Sequence, residues 1–191
     1  MKRLLLLSVL LLGLFSTSLA EAQRSKDRPP LSVFFSAEAA TIRLLGEAGQ
    51  DSSWSFGGHL RQGVAYGPLV TWLRVGGDAW LTYQEGPPLQ RGLRTFSTGL
   101  GLGAQHSLGM FRVMGFGEYA ILNLGGNPLH DSLGRRTMLH TLGGGGAVAF
   151  SGLSPFFVET RVAAHHWLGT ERPTSSLQFV LSIGLEAKIR R

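Results

Sequence analysis

The segment that most constrains the fold of this chain is its last one, from Leu177 to Ile189, where apolar residues occupy every second position. Polar or small residues fall between them, and only Val180 breaks the alternation. A period of two is that of a strand with one apolar and one polar face. A helix would need apolar residues both three and four positions apart, and here, except at Val180, steps of three join an apolar residue to a polar or small one. The segment is longer than the usual strand of about five or six residues, and it suits a tilted strand that crosses a membrane.

The amino terminus has the features of an export signal. Lys2 and Arg3 precede an apolar run that ends at Phe15, and small residues follow up to Ala22. This order of basic, apolar and small segments is that of a secretory signal peptide, and the apolar run is too short to span a membrane as a helix. We therefore predict a cleaved signal peptide over residues 1–22; a retained anchor helix is the alternative.

The amino-acid composition restricts the class of protein to which the chain after residue 22 can belong. It has no cysteine, which excludes an acylated thiol, a disulfide and a thiolate metal site. Charged residues make up 16% of the sequence, whereas soluble proteins carry about 25%. The net charge, +6 for the whole sequence and +5 after residue 22, is modest and scattered, so we predict no nucleic-acid partner. No apolar run after the signal approaches the roughly 20 residues of a spanning helix, so a membrane location requires a closed sheet.

The alternating pattern recurs about eight times along the chain. Residues 23–30 form a polar lead-in, and the first alternating segment begins at Leu31. The connections between segments alternate between long and short, with Gly67-Pro68 as the first short turn. An even strand number with alternating short turns and long loops is typical of an up-and-down barrel in an outer membrane. We therefore predict an all-β fold, an antiparallel transmembrane β-barrel of about eight strands over residues 31–191.

Alternation alone does not say which face meets lipid, because a soluble lipocalin-like barrel shows the same pattern with its faces exchanged. The polar positions are rich in Gly, Ser, Ala and Thr, and glycines such as Gly99, Gly101 and Gly143 lie within strands. Small residues suit the crowded interior of a narrow barrel better than a solvated surface. We therefore expect apolar side chains to face lipid and polar side chains to fill the interior.

Isolated charges of both signs occur within the strands. Because unpaired charges are costly away from water, we predict that they pair across the interior in a network of salt bridges and hydrogen bonds. The predicted members are Glu38, Arg74, Asp78, Arg112, Glu118, Glu159, Arg161, Glu186 and Lys188. A path for protons or ions is the alternative, but eight strands enclose an interior that side chains nearly fill.

Aromatic residues near the strand ends predict two interfacial girdles, since Trp and Tyr are enriched at membrane–water boundaries. One set flanks the long loops, and the other flanks the first short turn. The first set is Trp54, Trp80, Tyr83 and Trp167, and the second is Tyr66 and Trp72.

These patterns together resemble the family of small eight-stranded outer-membrane β-barrels represented by the OmpA transmembrane domain and OmpX. The resemblance covers nearly all of the chain after the signal, and it is one of pattern, without a specific motif. It implies a monomer in the outer membrane of a Gram-negative cell, surrounded by outer-membrane lipid and inserted by the barrel-insertion machinery, with no cofactor. The family usually ends on an aromatic residue, whereas this chain ends Lys188-Ile189-Arg190-Arg191 and has Phe179 as the only aromatic residue of its last strand.

Three motifs could carry chemistry, and each has a plainer interpretation. Neighbours in a strand point to opposite faces, so His165 and His166 cannot both bind one ion in the same way, and we predict no metal site. His130-Asp131-Ser132 lies in a loop, whereas the outer-membrane barrel deacylases place His and Ser two apart on a lipid-facing strand near a carboxylate. The glycines of 143–146 lack the Lys-Ser/Thr of a phosphate loop.

The sequence therefore predicts a non-enzymatic outer-membrane barrel without catalytic residues, which contributes to envelope structure or to surface interaction through its loops. A lipid-modifying enzyme of the outer membrane and a soluble barrel that binds an apolar ligand are the alternatives.

Overall fold

The chain folds into one closed antiparallel barrel of eight strands in the computed structural model. The structure describes residues 29–45, 52–82, 94–125, 138–170 and 173–189. The strands are β1 (Leu31–Leu45), β2 (Ser52–Tyr66), β3 (Leu69–Thr82), β4 (Arg94–Leu108), β5 (Phe111–Gly125), β6 (Met138–Leu153), β7 (Phe156–Leu168) and β8 (Thr174–Ile189). Each strand pairs with the next in chain order, and β8 pairs with β1, so the predicted all-β barrel is confirmed. The predicted signal peptide and most of the lead-in lie outside the described residues.

Both ends of the barrel sequence and all short turns lie at one rim, which we call the turn rim. Leu31 at the start of β1 pairs with Ile189 at the end of β8 and with Tyr66 at the end of β2. Two-residue turns at 67–68, 109–110 and 154–155 join strands here. Two of these turns begin with a glycine in the left-handed region, where a side chain would be strained. The opposite rim, where β1 ends and β8 begins, is called the loop rim.

The alternation places apolar side chains on the outside of the barrel and polar ones inside. Along β7, exposed and buried residues alternate without exception. Outside, Leu100 is 62% and Ile183 is 60% exposed, and every strand presents such residues. Inside, the hydroxyls of Ser36, Ser55 and Ser182 are fully buried. A lipid-facing barrel has this arrangement, and a water-soluble one has the reverse. No helix in the described part of the chain is long and apolar enough to span a membrane.

Two apolar clusters inside the barrel enclose a charged layer. The loop-side cluster contains Leu44, Trp80, Leu122, Leu139 and Trp167. The turn-side cluster contains Ala65, Val70, Trp72, Phe116, Ala147 and Ala163. Charged side chains lie between the two clusters, as on β3, where Arg74 stands between Trp72 and Trp80. Barrel closure therefore produces three interior layers, and the middle one holds most of the ionisable groups.

Candidate functional site

Glu38 on β1 is the centre of the ion-pair network in the middle layer. Its side chain has no solvent exposure. One carboxylate oxygen, Oε2, accepts hydrogen bonds from Arg74 Nε at 2.9 Å and from Arg161 Nη2 at 2.7 Å. The other, Oε1, lies 2.9 Å from Arg61 Nε. One carboxylate thus joins arginines from β2, β3 and β7, two of which are not neighbours of β1.

Two further glutamates supply the remaining negative charge around these arginines. Glu118 on β5 accepts hydrogen bonds from Arg74 Nη1 at 3.2 Å and from the Trp72 indole nitrogen at 3.3 Å. Glu159 on β7 accepts one from Arg61 Nη2 at 2.7 Å. All of these groups are nearly inaccessible to solvent, and buried charges persist in a folded protein when they are paired in this way.

His59 extends the network towards the loop rim. Its Nδ1 lies 3.0 Å from Arg74 Nη2, and its Nε2 lies 3.3 Å from Asp78 Oδ2. A guanidinium only donates, so Nδ1 accepts and the ring hydrogen is assigned to Nε2, whose approach to the carboxylate does not have the geometry of a hydrogen bond. The network predicted from sequence omits His59 and Arg61. Both residues could have been predicted from the alternation of β2, because both lie on its inward-facing side.

Arg112 and Glu186 form a separate ion pair near the turn rim. Arg112 Nη1 lies 2.6 Å from Glu186 Oε2, and the Ser32 hydroxyl donates to the same carboxylate at 2.7 Å. The pair lies in an open vestibule of about 250 Å³ that also contacts Phe156 and Lys188. It is partly exposed, unlike the Glu38 network.

The placement of Lys188 in the interior network is wrong. Its side chain is exposed at the mouth of the vestibule, and it forms no ion pair with any described residue. The physical reason is its height along the barrel: Lys188 occupies the last inward position of β8 before the strand ends at Ile189. Water solvates the ammonium group there, so no partner is required.

Three of the predicted girdle residues are also misplaced, because Trp72, Trp80 and Trp167 point into the barrel. Their exposures are 2%, 1% and 3%. Trp80 and Trp167 pack edge to face, with ring centroids 6.1 Å apart. The rings fill interior volume that the many small inward residues leave empty. Gly101 shows this, because a Cβ there would overlap the indole of Trp72.

Trp54 and Tyr66 do face outward, with exposures of 37% and 46%. They lie near the loop rim and at the turn rim, respectively. Tyr83, the last predicted girdle residue, lies outside the described residues.

A row of polar and aromatic side chains follows the outside of the barrel near the loop rim. The guanidinium carbon of Arg43 lies 5.5 Å from the centre of the Trp54 ring. On the far side of β8, His166 Nδ1 lies 3.3 Å from the Ser175 hydroxyl. We call Arg43, Trp54, Ser175 and His166 the outer polar row.

Neighbouring groups limit the chemistry that this row can perform. His165 points inward while His166 points outward, as the alternation of a strand requires. Every Asp and Glu of the described chain is on the inward-facing side of its strand, so the His166–Ser175 pair has no described carboxylate beside it. Among the described residues no group of three His, Asp or Glu side chains is placed to hold a metal ion.

Comparison with known proteins supports the fold and leaves the activity open. No protein-family model matches the sequence, and a search of the curated proteins finds no match. Among solved structures, Neisserial surface protein A (NspA) aligns with a TM-score of 0.59 and 13% identity, over 82% of this chain and 97% of that chain. The outer membrane enzyme PagL aligns with a TM-score of 0.55 and 12% identity, over 78% and 98%. A major outer membrane protein from Thermus thermophilus aligns with a TM-score of 0.53 and 15% identity, over 81% and 99%.

At such low identities the likeness concerns the fold alone. The chain has the fold of the small eight-stranded outer-membrane β-barrels.

Proposed function

We propose that this protein is an integral, non-enzymatic β-barrel of the bacterial outer membrane, which contributes to envelope structure or to surface interaction through the connections at its loop rim. The observation that carries the proposal is the inverted burial, with large apolar side chains outside on every strand and paired charges inside. An apolar outer surface of this extent is stable in lipid and prone to association in water. The predicted export signal and the position of the short turns support an orientation with the loop rim outward.

The alternative of a soluble ligand-binding barrel is not supported by the cavities that the described residues form. The cavity beside Phe34 and Arg61 has a volume of about 20 Å³, which holds about one water molecule. A small-molecule site needs about 300 Å³ or more and apolar walls. The larger vestibule at the turn rim is open to solvent and contains the Arg112–Glu186 ion pair.

The same features support the proposed partners. Outer-membrane lipid surrounds the apolar outer face, and the barrel-insertion machinery places the closed sheet in the membrane. Closure of β8 on β1 leaves no strand edge free to pair with a second copy, which supports the proposed monomer. The outward face carries only two described cations, Arg43 and Arg94, which argues against binding to nucleic acid.

Fractionation of the native host and a heat-modifiability gel test the proposal. We expect the protein in the detergent-extracted outer membrane, with a different gel mobility before and after boiling because the closed barrel resists detergent. Recovery from the periplasm or medium, without a mobility shift, would refute the proposal.

Tryptophan fluorescence provides an independent test, because Trp54 alone among the four tryptophans faces outward. In vesicles of brominated phosphatidylcholine, we expect quenching of the wild-type emission and much weaker quenching of the Trp54→Phe variant. Equal quenching of both proteins would mean that the interior tryptophans contact lipid, which the proposed barrel does not permit.

A second candidate, an outer-membrane lipid hydrolase, is favoured by one observation, the hydrogen-bonded His166–Ser175 pair on the lipid-facing side. A serine nucleophile requires a histidine base, and the base is usually oriented by a third group, which the described residues do not supply here. Mass spectrometry of outer-membrane lipids from cells with the wild-type protein and with Ser175→Ala separates the two functions. Identical lipid profiles support the non-enzymatic function, and an ester that accumulates only with Ser175→Ala supports the hydrolase.

A further inference from the structure

The lipid-facing side of the barrel carries described charges at the loop rim only. Of the seven described Lys and Arg residues, Arg61, Arg74, Arg112, Arg161 and Lys188 are on the inward-facing side of their strands, whereas Arg43 and Arg94 face outward. Both outward arginines lie close to the loop-rim end of their strands. An arginine on the lipid face costs about 2–4 kcal/mol at the bilayer midplane and about 0–1 kcal/mol near the interface. This energy difference places Arg43 and Arg94 at the level of the lipid headgroups.

The Arg43 side chain packs against a pair of aromatic rings on the outside of the barrel. Its guanidinium lies over the Trp54 ring, and that ring contacts Phe179 with centroids 6.1 Å apart. A cation on an aromatic face keeps its hydrogen-bond donors available, because the face occupies one side of the planar group. No described carboxylate lies within ion-pair distance of Arg43, so its positive charge is not neutralised by the described chain.

The register of the sheet places two further polar groups beside Arg43. Leu45 pairs with Ser175 and Arg43 pairs with Leu177, so Ser175 is the diagonal neighbour of Arg43 on the same face. Diagonal neighbours are about 7–8 Å apart, a distance that a ligand with several acceptor oxygens can bridge. Ser175 in turn pairs directly with His166, and their side chains are hydrogen-bonded. A guanidinium, a hydroxyl and an imidazole therefore follow one another across β1, β8 and β7.

We propose that Arg43, Ser175 and His166 bind the phosphate group of a phosphorylated lipid in the outer leaflet. A phosphate offers several acceptor oxygens and a high charge, which match the fork of an arginine and two neighbouring donors. The acyl chains of this lipid lie along the apolar outer face of β8, where Phe179, Leu181 and Ile183 are exposed. This inference rests on the proposed function, because only a barrel in the outer membrane meets that leaflet.

Native mass spectrometry of the full-length, detergent-purified protein tests the site. The probes are diphosphoryl lipid A and the same lipid A after enzymatic removal of its phosphates. We expect the wild-type protein to bind the phosphorylated form about tenfold more tightly, the ratio that corresponds to one charged hydrogen bond. Arg43→Gln removes most of this preference, and Ser175→Ala reduces it by a smaller factor.

Arg94→Gln is the matched control, because Arg94 is also an outward arginine near the loop rim but has no described aromatic or hydroxyl partner. We expect this variant to keep the wild-type preference. Arg43→Lys keeps the positive charge but loses the forked guanidinium group, and we expect its preference for phosphorylated lipid A to lie between those of the wild type and Arg43→Gln. If Arg43→Gln does not fold, as judged by the mobility shift on heating, Arg43→Lys is used in its place.

Two results would overturn the inference. An Arg43→Gln protein that retains the full preference for phosphate excludes the site, and an Arg94→Gln protein that loses as much preference shows diffuse attraction by charge. In both cases the heat shift and the quenching by brominated lipid remain if the proposed function is correct. Loss of those two readouts in the wild-type protein would instead refute the proposed function itself.

Discussion

At the scale of single residues, Glu38 shows how a charge is kept inside a closed barrel. It shares its two oxygens among three guanidinium groups and has no access to water. Arg74 on β3 and Arg161 on β7 come from opposite walls of the eight-stranded barrel, so the carboxylate also holds these walls together. We therefore expect its negative charge to contribute more to the stability of the fold than the charge of Glu186 near the turn rim.

We expect Glu38→Gln to destabilise the barrel by about 3–5 kcal/mol, because removing one partner of a buried ion pair leaves the other charges uncompensated. The measurement is urea unfolding of the protein in vesicles, followed by the gel mobility shift. Glu186→Gln is the control, since that carboxylate is partly exposed and pairs only with Arg112 among the described arginines. We expect Glu186→Gln to lower the unfolding free energy by less than half as much as Glu38→Gln. An equal loss of unfolding free energy in both variants would contradict the central role of Glu38.

At the scale of elements, β4 is shaped by the glycines on its inward face. Gly101 lies under the indole of Trp72, which is held between the Phe116 ring at 5.5 Å and the Glu118 carboxylate. Because these contacts fix the indole, it cannot move aside for a larger neighbour. The close approach of β3 and β4 thus depends on the absence of a side chain at position 101.

We expect Gly101→Ala to lower the unfolding free energy by about 1–3 kcal/mol, the usual cost of overpacking a core. Gly117→Ala on β5 is the matched control. Gly117 faces outward, and a Cβ there would meet only a backbone oxygen at 3.8 Å. Both variants gain the same methyl group in a strand, so a difference in their urea midpoints measures the contact with Trp72. Equal midpoints would show that the indole adapts.

The strands are predictable from sequence, because alternation depends on local pattern alone. The first predicted strand begins at Leu31, where the structure also begins it. The predicted locations of side chains are wrong where they are based on the position of a residue along its strand and not on the face of the strand that the residue occupies. Trp72, Trp80 and Trp167 lie near strand ends, which predicts an interfacial location, although each occupies a polar, inward position of its strand.

The pairing of charges cannot be derived from sequence, because it depends on the stagger of the closed barrel. Alternation shows that Glu38 and Arg161 face the same interior, but their heights are fixed only when β8 pairs with β1. The His166–Ser175 contact has the same origin, since it requires the register between β7 and β8. A pattern of period two specifies the face of each residue and leaves the register undetermined.

At the scale of the whole molecule, the layers of the interior determine whether the barrel conducts. The open vestibule at the turn rim ends against the turn-side cluster, which contains the rings of Trp72 and Phe116. Beyond it lie the paired charges and then the loop-side cluster. A hydrated ion would have to displace packed aromatic rings and break buried ion pairs to cross the interior.

We therefore expect no ion conductance when the protein is inserted in a planar bilayer, at voltages that the bilayer itself tolerates. The same preparation must show the mobility shift on heating. This control establishes that a bilayer without conductance nevertheless received folded barrels. Discrete conductance steps of the wild-type protein would contradict this prediction. They would be assigned to the barrel interior if the step size changes in the Trp72→Ala variant and stays constant in the Arg94→Gln variant. Such steps would locate an ion path through the turn-side cluster, because Trp72 lies within it and Arg94 lies outside the barrel wall.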